Sequence, residues 1–153
     1  MKISIMGIDY DELLSGKALA EMGNEVTYVS HDNKRIANIK RGYYNVDEAM
    51  IIKSLNPDYS IDFTANIKAA LSNSNMCFIS EGITGDSSEK LENILQVAKD
   101  IGANMTSHMF IVDRSSLEVS VRDKIKETIE EELTKRNVKL TFELISNPNF
   151  LKA

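Results

Sequence analysis

The sequence predicts a doubly wound α/β domain built on a parallel sheet. Three observations carry that expectation. Short β-rich runs alternate with longer segments of helical periodicity along all 153 residues. Several of the β-rich runs are continuously apolar, as strands covered on both faces must be. The first run stops at Gly7, a residue suited to a tight strand-to-helix turn. Right-handed crossovers then favour six strands in the order 3-2-1-4-5-6, with helices on both faces.

The elements follow in order. Ile3 to Met6 is the first strand. A helix is expected over Asp11 to Met22, with Leu14, Ala18 and Met22 on its inward stripe and Gly23 stopping it. Glu25 to Ser30 is β-rich, and Asp32 to Arg41 is helical with Ile36 and Ile39 inward and Gly42 as C-cap. Residues 43 to 57 are ambiguous; a helix around Glu48 to Leu55 would be closed by Asn56-Pro57. Ser60 to Thr64 is a strand, and Thr64 then serves as N-cap of a short helix to Leu71. Met76 to Ser80 is a strand, and Ser87 to Ile101 a helix carrying Leu91, Leu95 and Ala98. Met109 to Val112 is the fifth strand. Ser120-Val121-Arg122-Asp123 reads as a capping box opening a helix with Val121, Ile125, Ile129 and Leu133 inward. Leu140 to Ile145 closes the sheet. No repeat, low-complexity tract or linker divides the chain, so a single domain over residues 1–153 is expected.

Composition narrows the function classes. Hydrophobic residues at 42% and charged residues at 27% fit an ordinary globular protein rather than a disordered one. A balance of 18 basic and 23 acidic residues gives −5, which disfavours nucleic-acid and anionic-membrane partners. One cysteine permits neither an internal disulfide nor a multi-cysteine metal site, and it suits a reducing compartment. No apolar run is long enough for a membrane helix, and the N-terminus lacks the pattern of a signal peptide. A cytoplasmic protein is the expectation.

In a doubly wound fold the ligand binds beyond the carboxyl ends of the strands, so the first turn should show function. It reads Gly7-Ile8-Asp9-Tyr10-Asp11-Glu12, followed by Leu13-Leu14-Ser15-Gly16. A dinucleotide fingerprint wants glycine at the positions of Gly7, Asp9 and Glu12. They serve the tight turn, the approach of the pyrophosphate and close helix–strand packing, and only the first is present. Three acids stand where exposed N–H groups and the helix dipole would meet a diphosphate.

These residues, with four later segments, resemble the N-terminal domain of the UDP-glucose/GDP-mannose dehydrogenase family along essentially the whole chain. The family opening K-I-x-x-x-G-x-G-Y-V-G-L-x-x-G is matched by Lys2, Ile3, Gly7, Tyr10, Leu13 and Gly16. L-A-E-x-G-x-E-V-T is present as Leu19-Ala20-Glu21-Met22-Gly23-Asn24-Glu25-Val26-Thr27. F-I-x-x-G-T-P corresponds to Phe78-Ile79-Ser80-Glu81-Gly82-Ile83-Thr84, and K-S-T-V-P-x-G-T to Arg114-Ser115-Ser116-Leu117-Glu118-Val119-Ser120. S-N-P-E-F-L appears as Ser146-Asn147-Pro148-Asn149-Phe150-Leu151. The resemblance implies a Rossmann-like fold, NAD as cofactor and a nucleotide sugar whose C6 alcohol is oxidised to a carboxylate. It places the cofactor against Gly7, Ile8, Asp9, Tyr10, Glu12, Ser30, Gly82 and Ser116, and the family's cysteine, lysine and asparagine in segments beyond this chain.

The departures fall on the chemistry. The catalytic Glu of S-N-P-E-F-L is Asn149, and an amide cannot take up a proton as a carboxylate does. The acid that closes the second strand to hold the adenosine ribose is Ser30; Asp32, two residues on, reaches the ribose only through a reshaped turn. The Gly-Thr-Pro turn is Gly82-Ile83-Thr84, and Glu118 and Ser120 replace a Pro and a Gly. No catalytic residue is therefore expected here, and no cofactor is expected to bind tightly, NAD being the cofactor if the family role is retained.

Other polar features have plain explanations. Asp9, Asp11 and Glu12 suit capping and the helix dipole better than a metal. Cys77 between Met76 and Phe78 is a buried core residue, and His31 and His108 lack metal-ligand spacing, His31 as a rim residue and His108 as a structural one in a strand. Glu127 to Glu132 is a solvated helix face, and Gly16 and Gly102 serve packing and turns. The function expected is a non-catalytic relative of the dehydrogenase domain, an interaction, regulatory or ligand-sensing module with a nucleotide or nucleotide sugar as possible ligand. The alternatives are an altered NAD- or nucleotide-binding domain working with a separate catalytic half, and a gene fragment that still folds. A homodimer or protein partner is expected through the region Leu140 to Leu151 or an adjacent helix, because Lys139 and Glu143 blunt the edge of the strand Leu140 to Ile145 only modestly.

Overall fold

The computed structural model describes residues 1–42, 45–72, 74–79, 87–114 and 119–146. Strands and helices alternate as β1 (Lys2–Met6), α1 (Tyr10–Glu21), β2 (Glu25–Val29), α2 (Asn33–Lys40), α3 (Val46–Ser54) and β3 (Ile61–Thr64). They continue as α4 (Ile67–Leu71), β4 (Met76–Ile79), α5 (Ser87–Asn104), β5 (Met109–Asp113), α6 (Val119–Lys135) and β6 (Phe142–Ser146). The strands form one six-stranded sheet in the order β3-β2-β1-β4-β5-β6, every pair parallel. Ile5 of β1 lies beside Tyr28 of β2 and Phe78 of β4, so the centre of the sheet is apolar on both neighbours.

Because side chains alternate across a strand, each strand feeds two cores. One face carries Ile3, Ile5, Val26, Tyr28 and Phe78 against Leu13, Leu19 and Ala20 of α1, Ile36 and Ile39 of α2, and Ile51 of α3. The other carries Met6, Val29, Cys77, Ile79, Met109 and Ile111 against α4, α5 and α6. Ile125, Ile129 and Leu133 of α6 are buried there as their spacing requires, whereas α5 is anchored chiefly by Ile94, Ala98 and Ile101.

Five local expectations are corrected. The inward stripe of α1 is Leu13, Gly16 and Ala20; Leu14, Ala18 and Met22 face solvent. Apolar residues occur on both faces of this helix, and its rotation is fixed by Tyr28, whose ring fills the space beside Gly16. The short helix α4 is capped by Asn66, whose Oδ1 accepts from Ala69 N at 3.1 Å. Thr64 instead ends β3 and accepts from Asn66 N at 3.0 Å, turning the chain toward the cap. Helix α6 begins at Val119, which places Ser120 within its first turn and not at the cap. The last strand starts two residues later than expected, at Phe142, and His108 precedes β5 rather than lying in it.

Candidate functional site

The order of the sheet reverses between β1 and β4, so the carboxyl end of β1 is the natural ligand position. Gly7 makes the turn there with φ +141, a conformation suited to glycine, and its N–H donates to Val29 O at 2.9 Å. A Cβ at Gly7 would lie 2.8 Å from Glu12 Oε1, so the Glu12 carboxylate is folded over the turn. Glu12 is only 3% exposed. Asp9 occupies the N-cap of α1, yet its carboxylate makes no capping hydrogen bond and stands 3.5 Å from the Arg35 guanidinium. That corrects the expectation that Asp9 caps the helix through its side chain. Ile8 is buried and offers its carbonyl to Arg35 at 3.2 Å, while Tyr10 opens the helix with a half-exposed ring.

Arg35 also pairs with Glu48, a nearly buried carboxylate whose other oxygen accepts from Asn45 N at 3.2 Å. Asn45 in turn caps Glu48 N at 2.8 Å, completing a capping box at the start of α3. The Asn-x-x-Glu pattern was legible in the sequence; its link to Arg35 and the first turn was not, because it joins residues from three separate elements.

The packing duty that a third fingerprint glycine would perform falls to Gly16. A Cβ there would meet Tyr28 Oη at 2.0 Å, and that hydroxyl donates to Leu13 O at 2.7 Å. Burial, followed by the nearby Glu12 charge, pushes the Tyr28 phenol above its ordinary range, while a backbone hydrogen bond at Lys17 works the other way. With close approach secured one turn later, the position of Glu12 is free to carry a side chain.

At the end of β2, Ser30 Oγ accepts from Asp32 N at 3.2 Å, and Asp32 Oδ1 caps Arg35 N at 3.0 Å. Ser30 and Asp32 thus lie on one opening beyond the end of β2. His31 lies at the rim and pairs with Asp100 of α5 at 2.9 Å. A cavity of about 320 Å³ opens between these turns and Val97 of α5. Neither Val97 nor Asp100 carries a sequence signal for this position, since only the sheet brings α5 to the end of β2. Gly82, Ser116 and Asn149 lie outside the described residues.

The remaining polar groups sit elsewhere. Cys77 is fully buried, and burial raises its thiol to about 12. His108 is exposed, bonded through Nδ1 to Thr141 Oγ1 at 2.6 Å and set edge-on to Phe110. Arg114, following β5, reaches back to Ser15 of α1 at 2.5 Å. Among the described residues, no group of three His, Cys, Asp or Glu is placed to hold a metal ion.

The fold and the turn sequence point to one family, and comparison with known proteins decides it. The model of the UDP-glucose/GDP-mannose dehydrogenase family, NAD binding domain, matches residues 1–153. The chain belongs to this family. It is 29% identical to the UDP-glucose 6-dehydrogenase of Pseudomonas aeruginosa across 99% of its own length and 35% of that protein. It is equally 29% identical to UDP-glucose 6-dehydrogenase TuaD of Bacillus subtilis, covering 33% of it. The chain thus spans about a third of the curated relatives it matches. Among solved structures, the ternary complex of GDP-mannose dehydrogenase from Pseudomonas aeruginosa superposes with TM-score 0.77 at 24% identity, covering 98% of this chain and 36% of that one. A UDP-glucose dehydrogenase from Pyrobaculum islandicum gives 0.78 at 16% identity, over 97% of this chain and 35% of that one. At these identities the structural likeness establishes the Rossmann-like fold alone.

Proposed function

We propose that this member of the family is non-catalytic by itself and serves as an interaction, regulatory or ligand-sensing module. The observation that carries the proposal is the Glu12 carboxylate lying over Gly7. Exposed amides at a helix N-terminus ordinarily receive a dinucleotide's phosphates. Here the same space holds a buried carboxylate, with Asp9 and Asp11 beside it in sequence, so the residues present do not fit a diphosphate. Asn149 at the family's glutamate position supports the same view. The test is NADH formation from NAD with UDP-glucose or GDP-mannose at high protein concentration. No turnover is expected; turnover that follows the protein through purification and is lost on heating would overturn the proposal.

A second reading is favoured by the placement of Asp32 beside the end of β2. In it the chain is an altered NAD- or nucleotide-binding domain of a nucleotide-sugar 6-dehydrogenase, completed by a separate catalytic half. Micromolar NAD binding would select this reading.

We also propose self-association, or capture of a protein partner, through β6. Among the described residues this strand is one of the two edges of the sheet, Ile145 on it is 37% exposed, and unpaired edges recruit partners. Light scattering across a wide concentration range should show a dimer, and a strictly monomeric mass would remove the homodimer. A cytoplasmic location is proposed on composition; no helix among the described residues is long and apolar enough to cross a membrane.

A further inference from the structure

We infer that the surface formed by β6 and the outer side of α6 receives a second copy of this chain, the two β6 strands running antiparallel about a two-fold axis and the two α6 helices lying side by side. The inference rests on the proposal that β6 is an associating edge, and it names the partner and its orientation. Among the described residues β6 has a neighbour on one side only, β5. Met109 N donates across that pair to Thr141 O at 3.3 Å. Main-chain groups alternate in direction along a strand, so those of Glu143 and Ile145 also turn toward β5, and those of Phe142 and Leu144 turn toward the open edge. The side chains of Phe142 and Leu144 are half-buried against the core, while Glu143 and Ile145 are exposed.

These features fix a register. With the two-fold axis at Leu144, the midpoint of β6, every residue of the strand finds an opposite number. Leu144 then exchanges both main-chain bonds with its own mate, and its half-buried side chain is covered by the same residue of the other copy. Glu143 lies opposite Ile145. An axis at Glu143 would instead set two carboxylates directly against each other, which is destabilising.

The helix layer fits the same axis. Helix α6 connects β5 to β6, and its Ile125, Ile129 and Leu133 are buried in one cluster with Met109 and Ile111 of β5, with Phe142 and Leu144 of β6 against it. A helix riding midway between these strands stands about one strand spacing, ~4.8 Å, from the axis. The two copies of α6 are then about 10 Å apart, the ordinary separation of packed helices. Their facing sides are complementary in charge. Lys126 and Glu130 are exposed and line the side of α6 turned toward β6. They stand four residues apart in the less favourable order, Lys before Glu, and form no ion pair with each other. An antiparallel copy sets Lys126 of each chain against Glu130 of the other, twice per dimer. That self-complementarity singles out a second copy over an unrelated partner.

Sedimentation velocity of the whole chain across a wide concentration range is the experiment. The parent should form a reversible dimer. Glu130→Lys and Lys126→Glu should each weaken it at least about tenfold, because each brings like charges together at two symmetric contacts, and the two changes combined should restore it. Orientation is read from cysteine linkage, to which the buried Cys77 does not contribute. Directly opposed, hydrogen-bonded residues have Cα atoms about 5.5 Å apart, within disulfide reach, so Leu144→Cys should oxidise to a covalent dimer. Ile145→Cys should not, because its mate is displaced along the strand beyond that reach. A dimer that resists both charge reversals, or that links through Ile145→Cys instead of Leu144→Cys, overturns the inference while leaving association through β6 standing. A strictly monomeric chain overturns the inference and the homodimer together, and leaves capture of a different protein as the role of β6.

Discussion

Replacing Gly16 by alanine sets two well-measured effects against each other. Alanine in a helix interior is favoured over glycine by about 1 kcal/mol, so propensity alone predicts stabilisation of α1. The structure predicts the reverse. The new Cβ would lie 2.0 Å from Tyr28 Oη, 2.4 Å from Cζ and 2.8 Å from Cε1. Tyr28 cannot swing away, because it is fully buried and its ring stacks on Phe63 at 5.0 Å. Overpacking of this kind costs roughly 1–3 kcal/mol, and loss of the 2.7 Å bond from Tyr28 to Leu13 O in a buried site about 1–3 kcal/mol more. After the gain in propensity, a net loss of about 1–5 kcal/mol remains. For a domain of this size that is a fall in Tm of about 2–20 °C. Urea unfolding followed by far-ultraviolet circular dichroism is the assay, since the chain has no tryptophan. The double change Gly16→Ala with Tyr28→Phe should cost less than the two single changes added together, because the hydroxyl is the nearest obstacle. A Gly16→Ala protein as stable as the parent would refute the packing of α1 on β2 described above.

Arg35→Ala should destabilise by about 2 kcal/mol, chiefly by leaving Glu48 nearly buried without its cation, the loss being tempered by the partial exposure of Arg35; chemical denaturation of Arg35→Ala, Glu48→Gln and the double variant measures it, and additive losses would deny the coupling. Cys77 should resist thiol reagents in the native state and react only on unfolding, because burial raises its thiol to about 12. The same shift sets a pH dependence. The folded state disfavours the thiolate, so stability is intact below the unfolded value of 9.0 and falls as pH rises toward the folded value. The loss reaches about 1 kcal/mol by pH 10, and Cys77→Ala should remove that part of the slope.

The sheet was legible because its information is local and repeated. Runs such as Met76 to Ile79 are apolar at every position, as a strand covered on both sides requires, and their shortness between turn signals sets them apart from the helices. The faces of α6 were equally plain, since Ile125, Ile129 and Leu133 recur at helical spacing on an otherwise charged segment. Helix α1 misled for the opposite reason. Leu13, Leu14, Leu19 and Met22 distribute apolar surface around it, and only the contact of Gly16 with Tyr28 chooses a face. At the site, the absence of the second and third glycines could be read directly from the turn. What replaced them could not. That Glu12 lies buried over Gly7, that Asp9 turns to Arg35, and that Asp32 lines the cavity are products of side-chain competition among three elements.

The central claim is that the first turn excludes a dinucleotide, and calorimetric titration with NAD tests it most directly. Two like charges about 5 Å apart at an effective dielectric near 20 repel by roughly 3 kcal/mol, about a hundredfold in affinity. The unaltered chain should therefore show a dissociation constant of about millimolar or weaker. The combined change Asp9→Gly, Glu12→Gly and Ser30→Asp opens the turn and restores an acid at the end of β2, and should tighten binding by at least about tenfold. Micromolar binding of NAD by the unaltered chain would contradict the account.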